Sequence, residues 1–203
     1  MLRALLLIFD PASSWEKIET AKPSVARVFF LYVLPIMLLS FAVEAWLLTQ
    51  LGAQRGRVVE RVAQVSKDVI IRYEVTQFVL GIVLVFLGAF LMQKLSQGFH
   101  RRHTYGESFA TLGYSLGPYF LCRMLDGFPM LNTWIVWAIG ALLAVSLLYR
   151  GLPRVLKPDP SNALGVYMMC SMLILVLTGV AHYFATLVLN QKIFRAGFSL
   201  PGA

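Results

Sequence analysis

The chain has 203 residues, of which 58% are hydrophobic and only 14% charged, against about a quarter charged in ordinary soluble domains; its mean hydropathy is +0.71. That much apolar surface excludes a soluble domain, a disordered chain and a disulfide-rich secreted module. The net charge of +8 does not indicate a nucleic-acid partner, because most Lys and Arg residues fall between apolar runs, as they do in a polytopic membrane protein.

In chain order, the first apolar run, Ala4 to Phe9, is short, is closed by Asp10-Pro11 and lacks a small-x-small cleavage pattern. The start is therefore expected to be mature protein and not a signal peptide. Asp10 followed by Pro11 pairs a side-chain acceptor at an N-cap with a proline at the first helical position. The short helix expected from there to about Glu19 carries Trp15 and Ile18 among Ser, Glu and Lys. Its length and its Trp suit a helix lying at the headgroup level.

About 20 apolar residues, rising 1.5 Å each, are needed to cross about 30 Å of hydrocarbon. Five such segments are expected: 28–48, interrupted by Pro35 and Glu44; 75–92, the cleanest; 108–125, weakened by Gly113, Gly117 and Pro118; 131–149; and 163–189, the longest. The runs are continuous and do not alternate with period two, which argues against a transmembrane β-barrel. The fold class is thus all-α, a single membrane domain built as a bundle of five transmembrane helices. Val85, in the second span, is expected to face lipid.

Between the first two spans, residues 52–72 place Val58, Val59, Val62, Val65, Val69 and Ile70 at helical spacing among Arg55, Arg57, Glu60, Arg61, Lys67 and Asp68. This predicts an amphipathic connecting helix. It is open to lie on the membrane, to extend the second span, or to pair with a partner helix. With the N-terminus inside, ten of the eighteen Lys and Arg residues fall on inner segments and eight on outer ones, five of those eight in the connector. Charge thus favours an inner N-terminus.

Chemical motifs are sparse. Gly113-Tyr114-Ser115-Leu116-Gly117 matches the G-x-S-x-G pattern of a serine hydrolase, with His182 as a conceivable base, but such an elbow needs a strand-to-helix turn. Ser115 sits in a span, and the helical rise sets His182 at a depth roughly 18 Å away. Small residues at Ala110, Gly113 and Gly117 are better read as a strip for close helix packing, and Pro118 is expected to kink the span. His100 and His103 lack neighbouring ligands for a metal, and no nucleotide-binding glycine fingerprint or zinc-protease motif occurs. No catalytic residue, cofactor site or metal site is assigned.

Asp10-Pro11 followed by Trp15 and Ile18, then Tyr32 and Pro35 opening the first span, resemble the start of the Yip domain, the family of Ypt/Rab-interacting membrane proteins. Gly113-Tyr114-Ser115 with Gly117-Pro118 resembles its third-span signature. Leu148-Tyr149-Arg150-Gly151-Leu152-Pro153 and Ala163-Leu164-Gly165 are similar to its connection between the fourth and fifth spans. The resemblance runs in order from about Phe9 to Leu189. It implies a five-span helical membrane protein with a cytosolic N-terminus and the C-terminus on the far side. Eukaryotic relatives bind Rab-type GTPases in vesicle trafficking; this chain lacks their long cytosolic N-terminal region and is expected to be a short bacterial member in the inner membrane.

The residues expected to carry helix packing and the family motif are Gly113, Tyr114, Ser115, Gly117, Pro118, Tyr149, Gly151 and Pro153. A second expected group is an intramembrane polar cluster. Glu44, Arg123, Asp126 and His182 fall at similar depth, and an ionised side chain alone in a span costs roughly 2.5 to 3.5 kcal/mol. Glu44 is therefore expected to face the bundle interior, with Arg123 or His182 as its partner. Two functions follow: membrane organisation or partner binding without catalysis, through inner loops 93–107 and 150–162; or transport, conduction or lipid handling through the intramembrane charges. The expected partners are membrane lipids, a membrane or cytosolic protein, and a second copy of the chain in a homo-oligomer.

Overall fold

A computed structural model describes residues 11–21, 23–55, 61–63, 65–98, 104–156 and 161–190. Helix α1 is Pro11–Ala21, with Pro11 at its first position; Asp10, its expected cap, lies outside the described residues. Helix α2 covers Val25–Leu51 and is capped by Ser24, whose hydroxyl accepts from the Arg27 amide at 3.4 Å. Its turn Phe29–Val33 widens into π geometry, and the Leu34 amide reaches back to the Phe29 carbonyl. The cause is Pro35, which lacks an amide hydrogen and disturbs the ladder one turn earlier. Gly52, at φ 76°, ends α2 in a backbone conformation that L side chains rarely adopt.

The expected connecting helix over 52–72 does not form along its length. Strand β1 (Ala53–Arg55) pairs antiparallel with β2 (Arg61–Ala63), Gln54 opposite Val62, and helix begins only at Lys67. Val62 is the one valine of the expected stripe that falls in a described strand, where a β-branched residue is well tolerated. Gly52 ends α2, so the helix does not run on into this stretch.

Helix α3 is Lys67–Gly98. The next segment consists of α4 (Tyr105–Ser115), α5 (Gly117–Cys122) and a 3₁₀ turn, Arg123–Gly127. Helix α6 is Thr133–Val155 and α7 is Ala163–Leu189. Thr104 and Glu107 close a reciprocal capping box on α4, the Thr104 amide donating to Glu107 Oε2 at 2.9 Å. The Asn132 side chain caps α6 by accepting from the Trp134 amide at 2.9 Å.

Among the described residues four helices, α2, α3, α6 and α7, are long and apolar enough to cross a membrane. The expected third span, 108–125, is not an unbroken helix: it is interrupted at Leu116, beside Gly117 and Pro118, and tightens into 3₁₀ geometry at Arg123. Among the described residues it is the longest unbroken buried stretch, with every residue from Ser108 to Phe120 buried. Large apolar residues such as Phe30, Trp46, Leu142 and Met172 instead face outward, and no aqueous solvent would stabilise such a surface. The chain is an integral membrane protein, with Glu44, Gln77, Arg123, Asp126, Thr178 and His182 among its buried polar residues.

Two side chains are more enclosed than residue type and position suggest: Trp15, on the helix expected at the headgroup level, and Val85, expected to face lipid. Trp15 is wholly buried, its indole rests on Gly151 of α6, and it meets the Tyr114 ring edge-on at 6.3 Å. The bare backbone of Gly151 leaves room for the indole, and burying it ties α1 to the bundle. Val85 is likewise buried, because α3 packs between its neighbours on more than one face; Val79 and Val83 hold the exposed positions.

Candidate functional site

Glu44 stands toward the C-terminal end of α2. Tyr73 and Gln77, four residues apart and therefore on one face of α3, both point to it. The Tyr73 hydroxyl donates to Glu44 Oε1 at 2.8 Å, and Gln77 Nε2 donates to the same oxygen at 3.1 Å. The second oxygen, Oε2, lies 3.9 Å from Arg123 Nε, and Arg123 Nη2 lies 4.0 Å from Asp126 Oδ2. Arg123 and Asp126 are three apart in a 3₁₀ turn, where such side chains eclipse. The guanidinium also sits 5.9 Å from the centre of the Phe41 ring.

Glu44 is 0% exposed, Arg123 5% and Asp126 7%. Both ion-pair separations exceed the roughly 2.8 Å of a direct charge-assisted hydrogen bond, so the attraction is Coulombic with little directional bonding. Asp126 Oδ1 and Oδ2, Gln77 Oε1 and both carboxyl oxygens of neighbouring Glu74 have no hydrogen-bond partner among the described residues. Among the described residues this region gathers three carboxyl groups around one guanidinium. Chemically, such a cluster can lock three elements together or exchange a proton.

Of the four residues expected in an intramembrane cluster, the structure brings Glu44, Arg123 and Asp126 together. His182 lies within electrostatic reach of Arg123, and its ring lies 4.8 Å from that of Trp134, edge to face, and 6.4 Å from that of Trp137, stacked. It makes no hydrogen bond or ion pair with Glu44 among the described residues. Tyr73, Glu74 and Gln77 were not expected from the sequence; Tyr73 and Glu74 precede the expected second span, and Gln77, a lone amide within its first turn, was the available signal.

The packing motif resolves into a second constellation. Pro118 has no amide hydrogen to give the Tyr114 carbonyl, and the Tyr32 hydroxyl donates to that carbonyl instead, at 3.2 Å. To reach it, the hydroxyl occupies the space a Cβ on Gly117 would take. A Cβ on Gly113 would meet Val28 at 3.2 Å and Val33 at 3.3 Å, so this small strip faces the start of α2. Ser115 is buried in the same segment. Further along, Tyr149 packs edge-on against Tyr167 with ring centres 5.0 Å apart, and Pro153 lies within the last turns of α6.

A family model described as the Yip1 domain matches residues 5–182. The match covers most of the chain, which therefore belongs to the Yip1 domain family. Neither the curated proteins nor the solved structures gave a match.

Proposed function

From membership of that family, we propose that the chain is a non-enzymatic, five-span membrane protein that organises membrane or binds a protein partner through its inner end. In this reading its N-terminus is cytosolic and its residence is a bacterial inner membrane. The observation that carries it is the docked α1. By seating Trp15 on Gly151, this helix helps to frame a cleft of about 610 Å³ lined by Ile18, Glu19, Thr20, Thr104, Glu107 and Val155, a mixed polar and apolar surface on the same end as the inner loops. A fifth crossing is supported by the course of 105–127. The Tyr105 hydroxyl donates to the Phe86 carbonyl at 3.2 Å, while Arg123 reaches the level of Tyr73, so the broken segment runs antiparallel to α3 for about 20 Å.

The test is photocrosslinking in native membranes, with a benzophenone side chain placed at Thr20, in the cleft, or at Val79, on the exposed face of α3. A discrete protein adduct from Thr20 and none from Val79 is expected. Protein adducts from neither site, or the same adducts from both, would overturn the proposal.

The Glu44 cluster favours a second reading, a proton or ion path. Under it, Glu44→Gln leaves thermal stability near that of the parent while a pH-sensitive dye inside proteoliposomes reports loss of flux. A purely structural cluster gives no flux for either protein.

A further inference from the structure

At the end of the bundle that the proposed orientation makes cytosolic, α6 and α7 line a cleft of about 510 Å³ that includes Tyr149, Arg150, Arg154, Leu164 and Tyr167. Arg150 is exposed and has no anionic partner among the described residues. Tyr149, 60% exposed, and Tyr167 set their rings edge to face in the same cleft. Tyrosines with one wet and one apolar end are typical of the headgroup level, and the cleft lies at the start of the apolar helix α7, where that level falls.

Around α7 the lining changes from polar to wholly apolar. Leu164, Met168, Met172 and Val176 recur every fourth residue as an exposed stripe. One turn beyond the cleft begins a groove of about 460 Å³ between α3 and α7, lined by Leu95, Met168, Met169, Met172, Leu173 and Val176. A cationic pocket at headgroup level, continued by a methionine-rich track of acyl-chain depth, is matched by a molecule with an anionic head and hydrocarbon tails. Methionine suits such a track because its unbranched thioether adapts to irregular chains. An acidic protein segment would leave the track unfilled.

We propose that this cleft and groove form a binding site for one anionic phospholipid of the inner leaflet, its phosphate held by Arg150 and the two tyrosine edges, and its acyl chains laid along α7. The rim charge at Arg150 supplies selectivity for anionic over zwitterionic heads, and the groove supplies depth.

Native mass spectrometry of the full chain, released from detergent micelles with equimolar dioleoyl phosphatidylglycerol and dioleoyl phosphatidylcholine, reads the preference directly. One basic side chain near anionic lipid corresponds to about fivefold in affinity, so Arg150→Gln should cut the phosphatidylglycerol preference about fivefold. Arg27→Gln removes the same charge from an exposed position at the same end and should leave the preference intact. Both side chains are exposed, and circular dichroism on each variant verifies that the helices persist. An unchanged preference in Arg150→Gln, or an equal fall in both variants, overturns the site. Adducts of soluble glycerol 3-phosphate as abundant as those of the lipid would assign the pocket to a free phosphate and overturn the role of the groove.

Discussion

Gly117→Ala is the smallest change that should damage this fold. The added Cβ takes the space held by the Tyr32 hydroxyl, and the next ring atom, Cζ, stands only 3.1 Å from it. Both backbones lie inside packed helical segments, so neither yields cheaply. Overpacking of this kind costs roughly 1–3 kcal/mol. If the tyrosine instead swings away to relieve it, the Tyr114 carbonyl that Pro118 leaves free loses its donor, at about 1–3 kcal/mol. Either response, about 1–3 kcal/mol, should lower the unfolding midpoint in detergent by about 3–9 °C at about 3 °C per kcal/mol for a chain of this size. Tyr32→Phe alone loses the hydrogen bond and should cost about 1–3 kcal/mol. Because the phenylalanine removes the colliding oxygen, the double variant should be more stable than the sum of the two singles predicts, by about 1 kcal/mol or more. Thermal unfolding followed by tryptophan fluorescence measures all four proteins. A Gly117→Ala midpoint equal to the parent's, or strict additivity in the double variant, would refute this account.

The other predictions follow the same physics. Breaking the buried pair by Glu44→Arg or Arg123→Glu should each cost roughly 3–5 kcal/mol, and the charge-swapped double variant should recover most of the midpoint lost. Trp15→Ala empties a wholly buried site and should cost about 3–5 kcal/mol; Gly151→Ala, whose Cβ would lie 2.6 Å from indole carbons, should release α1 and increase proteolytic cleavage near Ala21 in limited digestion. In a background lacking Cys122 and Cys170, cysteines at Arg102 or Asp159 should react only with reagent on the cytosolic side, and those at Gln64 or Ser199 only from outside. Either pair reacting from the opposite face removes the five-span, inner N-terminus arrangement.

Composition and period alone determined that this is a helical membrane protein, where the long apolar runs lie, and that Glu44 would need company. Those are properties of single residues against hydrocarbon, and a span of about 20 apolar residues has few alternatives in lipid. Asp126 and Arg123 were likewise legible as neighbours, being local in sequence. Tertiary structure decided the rest. Two donors on α3, 29 and 33 residues beyond Glu44, meet it only because two particular helix faces pack together. The valine spacing of 52–72 suggested a helix, whereas the chain leaves α2 at Gly52, with φ 76°, and pairs 53–55 with 61–63, a contact between segments that the spacing does not encode. Trp15 reads as an interfacial anchor on its residue type, yet the bare backbone of Gly151, far along the chain, gives it a buried seat. The glycine, the tyrosine and the proline that define the third segment act together because Pro118 frees a carbonyl, Tyr32 donates to it, and only at Gly117 is there room for the hydroxyl to pass. No pattern local to any one of them encodes that agreement, since its energy comes from contacts between distant parts of the chain.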